Sequence, residues 1–188
     1  MQEAIPGGEG GMLVALGISS EEIQKILDGT NNTYECYIAN DNSKSQVVLS
    51  GLIKDIDLLS KDLESKKIKN IKLNVSAPFH CKYMKSASDK MTSFINDLKI
   101  TKLNKPIISN VTAKEVYSPE QIKTLLISQI EKKVRWLESV EYMINNGIKN
   151  FVEIGPGKVL SGLIKRINKN VNVRSINSVE DIKLLIND

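Results

Sequence analysis

Apolar positions along the 188 residues fall into short runs whose period changes from segment to segment. After Gly7-Gly8-Glu9-Gly10-Gly11, residues 12–17 form an apolar run of strand length. Ser19-Ser20-Glu21-Glu22 then offers hydroxyls to cap free helix amides and acids to suit the positive helix end. The helix these predict draws its apolar face from Ile23, Ile26 and Leu27 and stops at Gly29. Residues 34–39 alternate as a strand, Asn40-Asp41-Asn42-Ser43 reads as a turn, and residues 46–49 read as a second strand, which together predict a hairpin. Helical spacing follows in Ile53, Ile56, Leu59 and Leu63, and residues 71–75 read as a further strand.

The order β-α-β-β-α-β over residues 12–76 predicts the split βαβ, or ferredoxin-like, arrangement, preceded by a connecting segment at 1–11. From residue 77 the pattern changes. Residues 82–98 predict a helix with Met84, Ala87, Met91, Phe94, Ile95 and Leu98 on one side, and residues 106–111 a short apolar strand. Helices are expected at 119–130 and 134–146, the second ended by Gly147. Residues 150–154 form a strand with little alternation, as expected where both sheet faces are covered. Helix 159–167, strand 171–176 and helix 179–186 complete the chain. This alternation predicts a parallel layer over residues 77–188, and an α/β class for the whole.

Composition narrows the setting. A chain 41% hydrophobic and 26% charged reads as a soluble globular protein, and no apolar run is long enough to span a bilayer. Met1-Gln2-Glu3-Ala4-Ile5-Pro6 resembles neither a signal peptide nor a transit peptide, so a cytoplasmic, membrane-free setting is expected. Two cysteines, Cys36 and Cys81, form no CxxC pair, and with one histidine they cannot build the usual zinc constellation. The net charge of +4 is mostly lysine, and aromatics are 5%. Nucleic-acid binding is therefore disfavoured, while an acidic partner or a phosphate-bearing ligand suits the sign of the field.

The candidate chemistry centres on His80. Pro78 keeps its predecessor extended and helps end the strand before it. A lone histidine at a strand end is more often structural than catalytic, yet imidazole is the side chain best suited to accept a proton near neutral pH. Cys81 points away from His80 in an extended segment, and a strand cysteine such as Cys36 is more often core. The Gly7–Gly11 run lacks phosphate-loop spacing and reads as a flexible turn. Gly155-Pro156-Gly157-Lys158 joins a strand to a helix, a junction that can present amides to an anion or serve only as a tight turn.

Four motifs in order carry a family resemblance: Q-E-A-I-P-G-G-E-G-G-M, N-D-N-S-K-S-Q-V-V-L-S-G, A-P-F-H-C-K-Y-M, and V-R-W followed by V-E-Y-M-I-N-N-G and G-P-G-K-V-L-S-G-L. Together they resemble the later portion of the malonyl-CoA:acyl carrier protein transacylase family of bacterial fatty acid synthesis. The resemblance implies an α/β-hydrolase-like core beyond the ferredoxin-like unit. It also implies transfer of malonyl from CoA to the phosphopantetheine thiol of acyl carrier protein through an acyl-serine, with no cofactor. His80 matches the catalytic histidine and Gln129 a glutamine near it. Asn40 matches a cleft asparagine, and Phe79 a position tied to malonyl preference. No G-x-S-x-G elbow occurs in the sequence, no arginine precedes Arg135, and Lys133 stands where the family commonly has proline. The nucleophile is therefore expected in a preceding N-terminal segment that would be this chain's partner, leaving the chain inactive alone. The alternative is a non-catalytic ferredoxin-like module that binds protein or nucleic acid.

Overall fold

The computed structural model describes residues 5–30 and 33–186, so the first three residues of the Q-E-A-I-P motif and the first four of the leader reading lie outside it. The described chain divides into two compact units, residues 1–139 and 140–188.

The first unit is built on a four-stranded antiparallel sheet ordered β2-β3-β1-β4, with β1 Gly10–Leu16, β2 Cys36–Ser43, β3 Gln46–Leu52 and β4 Lys69–Lys72. Two helices, α1 Ser20–Asp28 and α2 Ile53–Ser65, interleave with the strands in the predicted order. Ser19 caps α1 in a reciprocal box with Glu22, and Gly29 closes it. Leu13 and Ala15 face one way and join Ile23, Leu49, Ile56, Leu59 and Leu63 in a helix-side core. Met12 and Val14 face the other way and pack with Ala39 and Val48. Strand β1 is thus buried on both faces, which explains its unbroken apolar run. Each fully buried leucine or isoleucine here contributes about 1.5–3 kcal/mol.

Three local expectations are corrected. Asn40–Ser43 is not a turn. Strand β2 runs through it, because the amide of Val134 donates to Ala39 O at 2.8 Å and the amide of Asp41 donates to Val134 O at 2.9 Å. The hairpin reverses one step later, at Lys44-Ser45. Residues 106–111 do not form a strand of a parallel layer. Only Ile107–Ile108 (β5) is extended, and it pairs antiparallel with Glu115–Val116 (β6) across a hairpin in which Ala113 takes a left-handed φ of 53°. The predicted helix at 82–98 begins with a single 3-10 turn, Lys82–Met84, before α3 Lys85–Asn96. Helix α4 is Pro119–Ser128, and α5 is Trp136–Asn145. Val134 and Arg135 lie outside α5, their amides bound to Ala39 and Asn110 carbonyls.

The second unit pairs β7 Asn150–Ile154 with β8 Asn172–Ile176 in parallel, joined by α6 Val159–Ile167 and followed by α7 Val179–Ile186. Strand β7 is not buried on both faces: Ile154 is 80% exposed and Val152 46%. Among the described residues it has one neighbouring strand, β8.

The Gly7–Gly11 run is also more than a turn. Gly10 and Gly11 are the first residues of β1, and a Cβ on Gly10 would lie 2.3 Å from Cδ of Pro78 and 2.8 Å from its nitrogen. Gly10→Ala is therefore expected to destabilise the chain by about 1–3 kcal/mol, the usual cost of overpacking. Gly7→Ala, which meets nothing within 4 Å, is expected to be near neutral. Equal denaturation midpoints for the two variants would contradict the close approach.

Candidate active site

The segment from β4 to α3 carries Ala77, Pro78, Phe79 and His80. Ala77 and Pro78 are fully buried. Phe79 packs against two apolar clusters at once: Met12, Val14, Ala39 and Val48 on the sheet, and Ala77, Met84, Ala87, Ile95 and Ile130 beside α3 and α4. His80 follows with φ 61°, a left-handed conformation uncommon for a residue bearing a Cβ. The Cys81 thiol donates to Pro78 O at 3.0 Å across this bend. Burial pushes the thiols of Cys81 and Cys36 above the usual cysteine range, Cys36 up to about 12, so neither is poised as a nucleophile.

The bend aims the imidazole at the end of α4. Nδ1 of His80 lies 2.7 Å from the carbonyl oxygen of Gln129, the C-terminal cap of that helix. Carbonyls in the last turn lack partners within the helix and are free to accept. A carbonyl has no proton to give, so Nδ1 must carry the hydrogen, and in the neutral ring Nε2 keeps a free lone pair. Gln129 thus meets His80 through its backbone, while its side-chain Oε1 is 3.5 Å from Asn110 Nδ2.

Asn40 sits half-buried on β2, between the two backbone bonds to Val134. The same stretch of chain therefore touches His80 at Gln129 and braces Asn40 at Val134. Phe79 packs against the sheet cluster that includes Ala39, the neighbour of Asn40 in β2. A cavity of about 590 Å³ is lined by His80, Cys81 and Lys82 on one side and residues 35–38 on another.

Sequence reasoning missed Asp41. Its carboxylate is 4% exposed, accepts from Ser20 Oγ at 2.7 Å and lies 3.9 Å from Lys133 Nζ. Burial raises its pKa, and the Ser20 and Lys133 interactions offset this only in part. Arg135 is occupied structurally: it pairs with Glu138 and donates to the carbonyls of Val111 and Thr112. Among the described residues no cluster of histidine, cysteine and carboxylate side chains could hold a metal ion, and no helix is long and apolar enough to cross a membrane.

Beyond the Gly155–Lys158 junction, the first amides of α6 are held from within the chain. The Glu153 carboxylate already accepts from the amides of Leu160 and Ser161, at 3.0 and 2.7 Å. Its hydrogen bonds to Ser161, and then to Leu160, hold its pKa below the ordinary 4.5. A lowered folded pKa gives stability that is fully present above the unfolded value and lost as pH falls through the folded one.

Two outcomes follow from this geometry. Gln129→Ala should leave the His80 Nδ1–H tautomer intact, as read from imidazole ¹⁵N shifts, because the backbone carbonyl remains. Glu153→Ala should speed amide exchange at Leu160 and Ser161 at pH 7, with the difference from the parent chain vanishing in acid. Unchanged exchange would show that the carboxylate is not the cap.

No protein-family model matches the chain. It is 38% identical over 188 residues to the malonyl CoA-acyl carrier protein transacylase of Bacillus subtilis (strain 168), covering 99% of this chain and 59% of that protein. The solved malonyl CoA-acyl carrier protein transacylase of Clostridium perfringens superposes with a TM-score of 0.93 at 36% identity, over 100% of this chain and 59% of that one. A malonyl-transacylase solved in complex with its type II PKS acyl-carrier protein superposes at 0.92 with 32% identity, over 100% and 61%. Over its whole length, in sequence and in structure, the chain matches malonyl CoA-acyl carrier protein transacylases, and it spans about three-fifths of the length of those relatives.

Proposed function

We propose that this chain is the later portion of a domain that transfers malonyl from CoA to the phosphopantetheine thiol of acyl carrier protein, with His80 as its proton carrier. The observation that carries this reading is the Nδ1 contact with the Gln129 carbonyl, which leaves Nε2 to accept a proton. A serine from the preceding segment of the domain attacks the malonyl thioester, and its proton passes to Nε2. When the tetrahedral adduct collapses, the C–S bond breaks and the CoA thiol leaves with that proton. The carrier-protein thiol then attacks the acyl-serine, Nε2 takes the thiol proton, and the serine oxygen leaves with it. Side chains and the two thioesters suffice, and no cofactor enters.

In this reading Gln129 positions His80 through its carbonyl. Asn40 lines the substrate cleft, and Phe79 fills the space a branched acyl group would need. Residues 12–76 are a ferredoxin-like small subdomain after the connecting segment 1–11. Residues 77–188 belong to the larger core, where β7 and β8 are part of an α/β-hydrolase-like parallel sheet. The partners are malonyl-CoA, acyl carrier protein and the segment that brings the serine, in a cytoplasmic setting. The neighbour solved with its acyl-carrier protein supports the second of these.

The isolated chain is expected to form no covalent malonyl adduct with labelled malonyl-CoA by intact mass. A stoichiometric adduct abolished by one substitution in this chain would sink the reading. Supplying the N-terminal two-fifths of a relative should restore transfer, and His80→Ala in that assembly should cost about a hundredfold or more. Phe79→Ser there should relax malonyl over methylmalonyl selectivity by about 1–3 kcal/mol. An unchanged ratio of specificity constants, with the melting temperature tracked as a control for lost packing, would remove Phe79 from the specificity role.

A further inference from the structure

We infer that Glu35 is a positioning residue for His80: it anchors the chain immediately after the histidine to strand β2. This rests on the role proposed for His80 above, but the geometry stands apart from it. The Glu35 carboxylate, just before β2, accepts from three donors. Lys82 Nζ and the Tyr37 hydroxyl share Oε1, and the Tyr83 hydroxyl reaches Oε2 at 2.9 Å. The two tyrosine rings meet edge to face, with centroids 6.0 Å apart and planes at 79°. The Lys82 ammonium lies 5.5 Å from each centroid. One carboxylate therefore gathers groups from two segments separated by 47 residues.

The reason for such a clasp is the backbone between its anchors. His80 is left-handed, and a residue with a Cβ stays there only when its surroundings over-determine it. On the N-terminal side, buried Pro78 and doubly packed Phe79 fix the chain. On the C-terminal side, the first residues after Cys81 are Lys82 and Tyr83, and Glu35 holds both. With one anchor released, the turn can relax toward negative φ and carry Nδ1 away from the Gln129 carbonyl. Isolated exposed ion pairs contribute little. Here the pair is joined by two hydroxyl donors and a ring contact, which fix direction as well as charge. The carboxylate is held down to about 2 by Lys82 first, then by Tyr37 and Tyr83, so it accepts throughout the neutral range. The clasp also forms one wall of the cavity that His80 lines, which ties the width of that opening to the histidine's position.

The chain has one histidine, so its imidazole can be read without interference. The test compares the full chain with Glu35→Ala, Tyr83→Phe and Lys82→Arg. Diethylpyrocarbonate modification of His80, followed by mass spectrometry, reports the accessibility of the ring. Imidazole ¹⁵N shifts report which nitrogen holds the proton. Glu35→Ala should raise the carbethoxylation rate severalfold and lower the share of the Nδ1–H tautomer. Tyr83→Phe should do so to a smaller degree, and Lys82→Arg should keep the parent values. A merely structural role would shift the melting temperature and leave both signatures alone below the transition. That result for Glu35→Ala would overturn the proposal, as would Lys82→Arg behaving like Glu35→Ala. The carbethoxylation rates require no turnover. A failure of His80 as a catalyst in the reassembled domain is thus distinguishable from a failure of the clasp.

Discussion

The site depends on one close approach: the Pro78 ring lying directly on the backbone of Gly10. Nothing larger than hydrogen fits on that side of Gly10, so the start of β1 and the segment leading to His80 share a surface with no slack. Pro78 is fully buried there, and its fixed φ sets the direction in which the chain leaves. Phe79 can then wedge between the sheet and the α3–α4 cluster, and His80 is left to make the sharp left-handed bend. A histidine in this conformation is locally unfavourable. Packing on one side and polar anchoring on the other supply what the backbone alone would not. Rigid surroundings of this kind are what a proton-transfer group needs, since its lone pair must meet the reacting atom at hydrogen-bond distance.

Much of the fold was legible because local chemistry and tertiary packing agree. Ser19 with Glu22 marks the start of α1, Gly29 marks its end, and the apolar spacing of Ile56, Leu59 and Leu63 is the buried face of α2. The readings that failed share a cause. Asn40-Asp41-Asn42-Ser43 has the composition of a turn, but Val134, far along the sequence, supplies backbone partners that keep it extended. Residues 106–111 have the composition of a strand, but the left-handed Ala113 reverses the chain and limits pairing to two residues a side. In each case a distant or conformational constraint outweighed local propensity, which is a weak prior where packing decides.

The candidate site was legible to a different depth at each residue. His80 stands out as the only histidine, and family resemblance drew attention to Gln129, Asn40 and Phe79. The way Gln129 meets His80 was hidden, because every residue has a carbonyl and nothing in a sequence marks which one a ring will find. Glu35 and Tyr37 lie in no motif, and Lys82 and Tyr83 drew notice only as the tail of the run around His80; their meeting is a product of the fold. Asp41 was read as turn chemistry, and its burial against Ser20 and Lys133 follows from β2 running straight through it.

The same sequence signal has two structural outcomes, and the contrast bears on function. Strands β1 and β7 both read as apolar runs without alternation. The first is buried on both faces, because β3 and β4 flank it while α2 and Phe79 cover it. The second has one parallel neighbour and leaves Ile154 and Val152 exposed. An apolar run states what a strand requires, and only neighbours can meet the requirement. The geometry that would hold and move a proton lies wholly within residues 5–139: Gly10, Pro78, His80, Gln129 and the Glu35 clasp. None of these contacts needs anything from β7 or β8. Under the proposed function, the proton-handling half of the chemistry would therefore be preformed in a chain that spans three-fifths of its relatives' length.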